Sequence, residues 1–331
     1  MNQLDTGISI IGCGSASPVT GLNNHALTAI VETSDEWIAS RTGIRERRVA
    51  SPQECLAELA TKASKNALEM AKIEPEDLDL IILATSSADD LFGSAGQIQA
   101  NLGATRAVAF DMTAACSGFV FGLVTAGQFI RTGVYKNILL IGADVLSRWV
   151  DWKDRRTCIL FGDGAGAVVL QRSQKDNLLG FELRSDGAGY HNLQLAYQPE
   201  SYEITPGVDV SQGGYSRITM NGQEIYRFAV KKVPEVIEKA LFRANLTSDN
   251  IDWLIMHQAN QRILDAVADR MKIDPQKVIS NLAHHGNTSA ASIPLALDEA
   301  VREGKIKAGD VIATAGFGAG LSWGSAIFSW G

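Results

Sequence analysis

The segment Asp79-Leu-Ile-Ile-Leu-Ala84 returns 173 residues later as Asp252-Trp-Leu-Ile-Met-His257, and Ile138-Leu-Leu-Ile-Gly142 returns at the same offset as Val311-Ile-Ala-Thr-Ala315. Runs this short and this apolar are strands buried on both faces, which places a helix layer on either side of their sheet. Between the two pairs, Gly133-Val-Tyr-Lys and Gly304-Lys-Ile-Lys stand 171 residues apart, and that spacing carries Cys116 onto Asn287, predicting equivalent helix starts for these two residues. A repeat of this length is a duplicated domain and not a solenoid unit. We therefore expect an α/β protein of two similar halves, residues 1–175 and 176–331, divided in the polar stretch Arg172 to Asn177.

The 331 residues are enough for two compact halves, and 46% apolar with 20% charged residues are globular values. A net charge of −7 argues against nucleic acid as a partner. No apolar run approaches membrane-spanning length, so no membrane association is expected. Met1-Asn-Gln-Leu-Asp5 has no basic stretch followed by an apolar one, and a cytoplasmic location is expected. Cys13, Cys55, Cys116 and Cys158 show no CxxC pairing, which suits a reducing compartment. Ser51-Pro52-Gln-Glu54 has the pattern of a capping box, and the helix it opens is expected to bury Leu56, Leu59, Ala60, Ala63, Ala67 and Ala71. Further helices are expected at 96–102 and 117–132, and strands at 78–84, 107–110, 137–142 and 165–171.

Cys116 falls where an apolar run, Ala107 to Phe110, gives way to a small-residue helix. A thiol at a helix start faces the positive end of the dipole, which is expected to lower its pKa and make it a nucleophile. His257 and Asn287, like Cys116, are each expected at the end of an apolar strand. A thiolate accepts an acyl group from a thioester, while an imidazole N–H and a carboxamide N–H stabilise charge developing on a carbonyl oxygen. An asparagine has no useful pKa, so Asn287 points to holding an oxyanion or enolate and away from activating water. Cysteine proteases also use Cys, His and Asn, and chain order alone does not separate the two readings. The duplicated α/β plan and the sequence around Cys116 decide against a protease. Gly12-Cys-Gly14 lacks the third glycine and the downstream acid of a dinucleotide fingerprint. The pair His284-His285 has no carboxylate or thiol cluster at a metal-ligand spacing, and no metal is expected.

Taken together, Thr33-Ser-Asp-Glu-Trp37, Arg41-Thr-Gly-Ile-Arg-Glu-Arg47, Ala114-Ala-Cys116-Ser-Gly118, Phe161-Gly-Asp-Gly-Ala-Gly166, His257-Gln-Ala-Asn260, Gly286-Asn-Thr-Ser-Ala-Ala-Ser292 and Gly316-Phe-Gly-Ala-Gly320 resemble the β-ketoacyl-acyl carrier protein synthase III family across essentially the whole chain. Asp90-Leu-Phe-Gly-Ser94 is similar to its cyanobacterial and plastid members. The resemblance implies a five-layer αβαβα thiolase fold, a homodimer and a cofactor-free condensation of acetyl-CoA or another short acyl-CoA with malonyl-acyl carrier protein. It implies Cys116 as nucleophile, His257 and Asn287 as enolate donors, and the N–H groups of Cys116 and Ala319 as an oxyanion hole. The family usually has glycine where Ala319 stands, so alanine fits there only if the position does not need positive φ. Phe317 matches the aromatic residue that shields decarboxylation from water. Trp37 and Arg155 match the pair that sandwiches the CoA adenine, with Thr33, Arg41, Gly222 and Asn260 as further CoA contacts. Gln223 stands where many members have asparagine. Phe92 matches the residue that closes the acyl pocket across the dimer. Gln258, Ala259, Asn260, Gln261 and Arg262, with Arg227 and Lys231, are the implied docking face for the acidic carrier protein; Asp269 replaces a base often seen there. A second enzymatic reading is a paralogue with the same Cys116, His257 and Asn287 but another primer or acceptor. A degradative thiolase would carry a second cysteine, which 316–324 lacks. A silent acyl-CoA or carrier-protein binding module would not be expected to keep Cys116, His257 and Asn287 together.

Overall fold

The computed structural model describes residues 6–331; the segment Met1 to Asp5, on which the expectation about a leader rests, lies outside them. The first sheet contains β1 (Gly7–Ala16), β2 (Leu80–Ala84), β3 (Val108–Met112), β4 (Asn137–Asp144) and β5 (Gly164–Ser173), in the order β1-β5-β4-β2-β3. The second contains β6 (Leu178–Ser185), β7 (Trp253–Met256), β8 (Val311–Gly318) and β9 (Ser322–Ser329), in the order β6-β9-β8-β7. The pairing directions agree as well: β2 with β4 and β7 with β8 are parallel, whereas β4 with β5, β5 with β1, β8 with β9 and β9 with β6 are antiparallel. Only the edge strand β3 lacks a counterpart, and a single bridge from Leu254 to Val278 occupies that side of β7.

The helices that position the site are α1 (Asp35–Thr42), α2 (Leu56–Ala71), α3 (Ala95–Leu102), α4 (Gly118–Arg131), α5 (Gly222–Arg243), α6 (Gln261–Met271) and α7 (Ser292–Arg302). Alternation along β2 shows how they are layered. Leu80 and Ile82 pack in a central core with Phe119 and Leu123 of α4, Leu297 of α7, and Ile312 and Phe328 of the second sheet. Ile81 and Leu83 point the other way, into a core shared with Leu59 and Ala63 of α2 and Ile98 of α3. On the far side of the second sheet, Leu254 and Ala313 meet Val233 and Ile237 of α5 and Leu264 of α6. The result is helix, sheet, helix, sheet, helix, with α4 and α7 enclosed between the sheets.

Two local expectations are corrected. Ser51 N–H does donate to Glu54 Oε2 (2.9 Å), but α2 begins only at Leu56. Its first N–H groups, on Leu56 and Ala57, are instead accepted by the carboxylate of the distant Asp89 (3.2 and 2.8 Å). Nor does Cys116 correspond to Asn287. The single 3-10 turn Ala115–Ser117 leads into α4 as the turn Ser289–Ala291 leads into α7, an offset of 174, so Cys116 corresponds to Ala290. Helix α7 has 11 residues where α4 has 14, and the shorter helix is what changes the offset to 171 by the time Gly133 and Gly304 are reached.

Candidate active site

The strand β3 delivers the chain to Ala115, whose φ of +48° lies in the left-handed region that alanine rarely adopts. This turn presents Cys116 at the start of α4, with 6% of its surface exposed. Burial pushes the thiol up to about 12; the Ser289 hydroxyl opposes that rise and the nearby Asp144 carboxyl adds to it. The lowered thiol expected at a helix start is therefore overturned: desolvation of the thiolate outweighs the dipole. Ser289 Oγ donates to the Cys116 sulfur at 3.3 Å. The β8–β9 turn passes so close that a Cβ on Gly318 would lie 2.8 Å from the Cys116 nitrogen. The left-handed residue of that turn is Gly320 (φ +125°), so the backbone accepts alanine at Ala319.

His257 extends the β7–β8 ladder, its N–H donating to the Ala315 carbonyl (2.8 Å). Its Nδ1 lies 2.8 Å from Ser292 Oγ, which also accepts the Gln258 N–H at 3.3 Å. Burial lowers the imidazole to about 3, so it is neutral across the physiological range. The edge of the Phe317 ring meets the His257 ring, with centroids 5.1 Å apart.

Asn287 is held by its backbone: its N–H donates to the Leu160 carbonyl (2.9 Å), and its own carbonyl accepts from Gly162 (3.0 Å). Gly286 makes this possible, with φ of +66° and no room for a Cβ, which would lie 2.8 Å from the Leu160 oxygen. The side-chain Oδ1 accepts the Ser289 N–H (2.9 Å), leaving the amide N–H groups as the outward-facing end. Ser289 thus touches Asn287 through its backbone and Cys116 through its hydroxyl. Sequence reasoning missed Ser289, Ser292 and the buried Asp144; the signal available was polar residues at the ends of otherwise apolar runs.

His285 lies between Ser17 Oγ (3.3 Å) and Glu299 (2.7 Å), and among the described residues no three His, Cys, Asp or Glu side chains are placed to hold an ion.

At the surface, Trp37 of α1 carries the guanidinium of Arg155 at 4.5 Å and that of Arg41 at 4.7 Å from its ring centre. Arg155 is anchored on the Glu32 carbonyl (2.7 Å), and the hydroxyl oxygen of Thr33 is buried without a hydrogen-bond partner. Gly222 is exposed at the start of α5. Both ends of the Asn260 amide are engaged, Oδ1 capping α6 at Arg262 N–H (2.9 Å) and Nδ2 donating to the Arg41 carbonyl (3.1 Å).

Arg227, Lys231 and Arg262 are exposed on adjoining helices, with Arg262 over the Tyr226 ring at 5.6 Å. Ala259 is half-buried, and Gln261 spans Asp265 (2.8 Å) and Ser280 (3.1 Å). Gln258 does not belong on that face. It is fully buried, its amide donating to the Met256 carbonyl and accepting from Asn281 N–H, so it holds the loop and cannot meet a partner. Phe92 and Leu91 are 101% and 83% exposed and line no cavity of their own chain.

Comparison with known proteins places this arrangement. The fold is that of the thiolase-like condensing enzymes: the structure from Aquifex aeolicus described as 3-oxoacyl-[acyl-carrier-protein] synthase III superposes with a TM-score of 0.90 at 44% identity, covering 98% of this chain and 100% of that one. Residues 110–187 match the family model 3-oxoacyl-[acyl-carrier-protein (ACP)] synthase III, and residues 241–330 match its C-terminal model. β-Ketoacyl-[acyl-carrier-protein] synthase III of Trichormus variabilis is 69% identical, covering 98% of both chains, and that of Acaryochloris marina is 66% identical, covering 100% of this chain and 99% of the other. The chain belongs to the β-ketoacyl-[acyl-carrier-protein] synthase III family, whose members are acyl-transferring condensing enzymes of fatty acid biosynthesis.

Proposed function

We propose that the chain condenses a short acyl-CoA, acetyl-CoA foremost, with malonyl-acyl carrier protein in the cytoplasm. Cys116 attacks the acyl thioester; its sulfur–carbon bond forms, the bond to the CoA sulfur breaks, and the thiol proton leaves on CoA. Malonyl-acyl carrier protein then loses carbon dioxide, and the electron pair of the broken bond becomes an enolate. The enolate attacks the acyl-cysteine; the carbon–carbon bond forms, the carbon–sulfur bond breaks, and 3-oxoacyl-acyl carrier protein leaves a Cys116 thiolate that takes one proton from solvent to restore the thiol. The two thioesters and one proton from solvent balance the reaction, with no change that calls for a redox cofactor.

One observation carries this reading: the acceptor ends of both donor side chains are already used. Asn287 Oδ1 takes the Ser289 N–H, which leaves Nδ2–H for the enolate oxygen. Ser292 Oγ takes the Gln258 N–H and His257 Nδ1 is the acceptor within reach of its proton; in the tautomer this reading assigns, the ring carries hydrogen on Nε2. Two neutral, buried donors suit a developing oxyanion and cannot serve as a base. Phe317 keeps water from the decarboxylating carboxylate, and the N–H groups of Cys116 and Ala319 hold the tetrahedral oxygen.

The adenine enters between Trp37 and Arg155 and displaces the guanidinium now lying on the ring, with Thr33, Arg41, Gly222 and Asn260 along the CoA path. Arg227, Lys231 and Arg262 form the positive face for the acidic carrier protein, with Ala259 and Gln261 beside it. The edge strand β3 exposes Val108 (50%) and Phe110 (37%) near Leu91 and Phe92 in sequence, and this apolar edge suits a second copy whose Phe92 closes the acyl pocket. Intact-protein mass after incubation with acetyl-CoA is the test. One acetyl group on the native chain, none on Cys116→Ser, and faster loading from acetyl-CoA than from longer acyl-CoAs is the expected result. Preference for longer chains would reassign the primer, and no adduct from any acyl-CoA would refute the mechanism.

A further inference from the structure

Ser289 is held in place more firmly than a turn residue needs. Its φ of +52° costs a non-glycine residue about 1 kcal/mol or more, and such strain persists only where surroundings enforce it. The next N–H, of Ala290, donates to Asp144 Oδ2 (3.2 Å). Asp144 is itself fully buried at the end of β4, and its Oδ1 accepts from Ser86 N–H (2.8 Å), Ser87 Oγ (2.8 Å) and Thr85 Oγ1 (3.1 Å). The Ser289 N–H is committed to Asn287; the hydroxyl is the group that reaches the sulfur of Cys116, to which it donates at 3.3 Å, with the Asp144 carboxyl beside it as a second acceptor.

We propose that Ser289 is a further catalytic residue: its hydroxyl donates a hydrogen bond to the Cys116 sulfur and steadies the negative charge that sulfur gains as it attacks the acyl thioester. The proton of the thiol still leaves on CoA, and Ser289 keeps its own throughout. The need for such a donor follows from the burial that holds the thiol neutral at rest. This inference rests on Cys116 being the nucleophile, but it extends beyond the three residues that the family resemblance implies.

The test measures thiol reactivity without any acyl-CoA. Ser289→Ala and Ser289→Gly are compared with the native chain for alkylation of Cys116 by iodoacetamide at fixed pH, read as site-specific mass, and separately for decarboxylation of malonyl-acyl carrier protein. A hydrogen bond to a charged group is worth enough to slow alkylation about tenfold in both variants. Decarboxylation should fall less than alkylation in both variants, because the backbone bond to Asn287 survives while the hydroxyl is lost. Glycine relieves the positive φ that alanine retains, so equal slowing in the two assigns the effect to the hydroxyl. Native alkylation in both variants overturns the inference, as does slowing in alanine alone, and neither outcome touches the identity of the nucleophile. Failure of the native chain to acetylate, with the variants still slowed in alkylation, would instead strike the proposed reaction.

Discussion

Ala115–Ser117 and Ser289–Ala291 are two copies of one backbone device: each begins with a left-handed residue, φ +48° and +52°, and each runs directly into a central-layer helix. Their chemistry has diverged. The first presents Cys116; at the corresponding place the second has Ala290, and its polar groups sit upstream at Asn287 and Ser289. Duplication supplied a pair of turns that face each other across the seam between the halves. On the proposed reaction one turn supplies the nucleophile and the other the donors. A second divergence lies one connection further on. Between β8 and β9 the chain turns tightly through Ala319 to Leu321, against Cys116, whereas between β4 and β5 the longer stretch Val145 to Asp163 reaches the surface and carries Arg155.

The largest effect is expected where the two turns are joined. Asp144 takes hydrogen bonds from Thr85, Ser86 and Ser87 of the first half and from Ala290 of the second. Asp144→Ala leaves the buried Thr85 and Ser87 hydroxyls and the Ala290 N–H without this partner and should lower stability by about 3–5 kcal/mol, measured as a shift in the denaturant midpoint. A midpoint unchanged from the native chain would mean the seam is held elsewhere. Next comes the divergence of the second turn. Asn287→Asp keeps the size of the side chain but places an anion beside the enolate, and should slow malonyl decarboxylation about 100-fold or more while leaving acylation of Cys116 within a few fold. Equal losses in both half-reactions would remove the division of labour between the turns.

The layers were legible because strands covered on both faces must be apolar throughout, as 80–84 and 138–142 are. The family motifs marked Cys116, His257 and Asn287. What stayed hidden depended on contacts distant in sequence. The cap of α2 comes from Asp89, more than thirty residues away, so the local pattern at Ser51 and Glu54 misplaced the helix start. A motif also does not say which of its members face inward: Gln258 sits between His257 and Ala259, yet it is consumed in holding the loop. The state of the Cys116 thiol depends on burial, which a helix start read from sequence does not report.

The smallest effect is expected at the surface stretch of the first half. Stacking between two adenine faces needs about 7 Å between Trp37 and Arg155, twice a van der Waals contact. The guanidinium lies 4.5 Å from the ring centre, so under the proposed binding mode it swings off Trp37 to admit the adenine. Arg155→Ala therefore loses one stacking partner but also leaves the Trp37 face open in advance, and the two changes oppose each other. A cation–π contact at an exposed site is worth about 0.5–1 kcal/mol and more when desolvated, so KM for acetyl-CoA should rise about three- to tenfold. The kcat of acylation should change less than about twofold, because the adenine is remote from the reacting carbonyl and contributes equally to the ground and transition states. Steady-state acylation kinetics decide it. A fall in kcat would show that the surface stretch shapes the chemistry at Cys116 and does more than hold the nucleotide. A fall in KM would show that Arg155 obstructs the slot more than it binds in it.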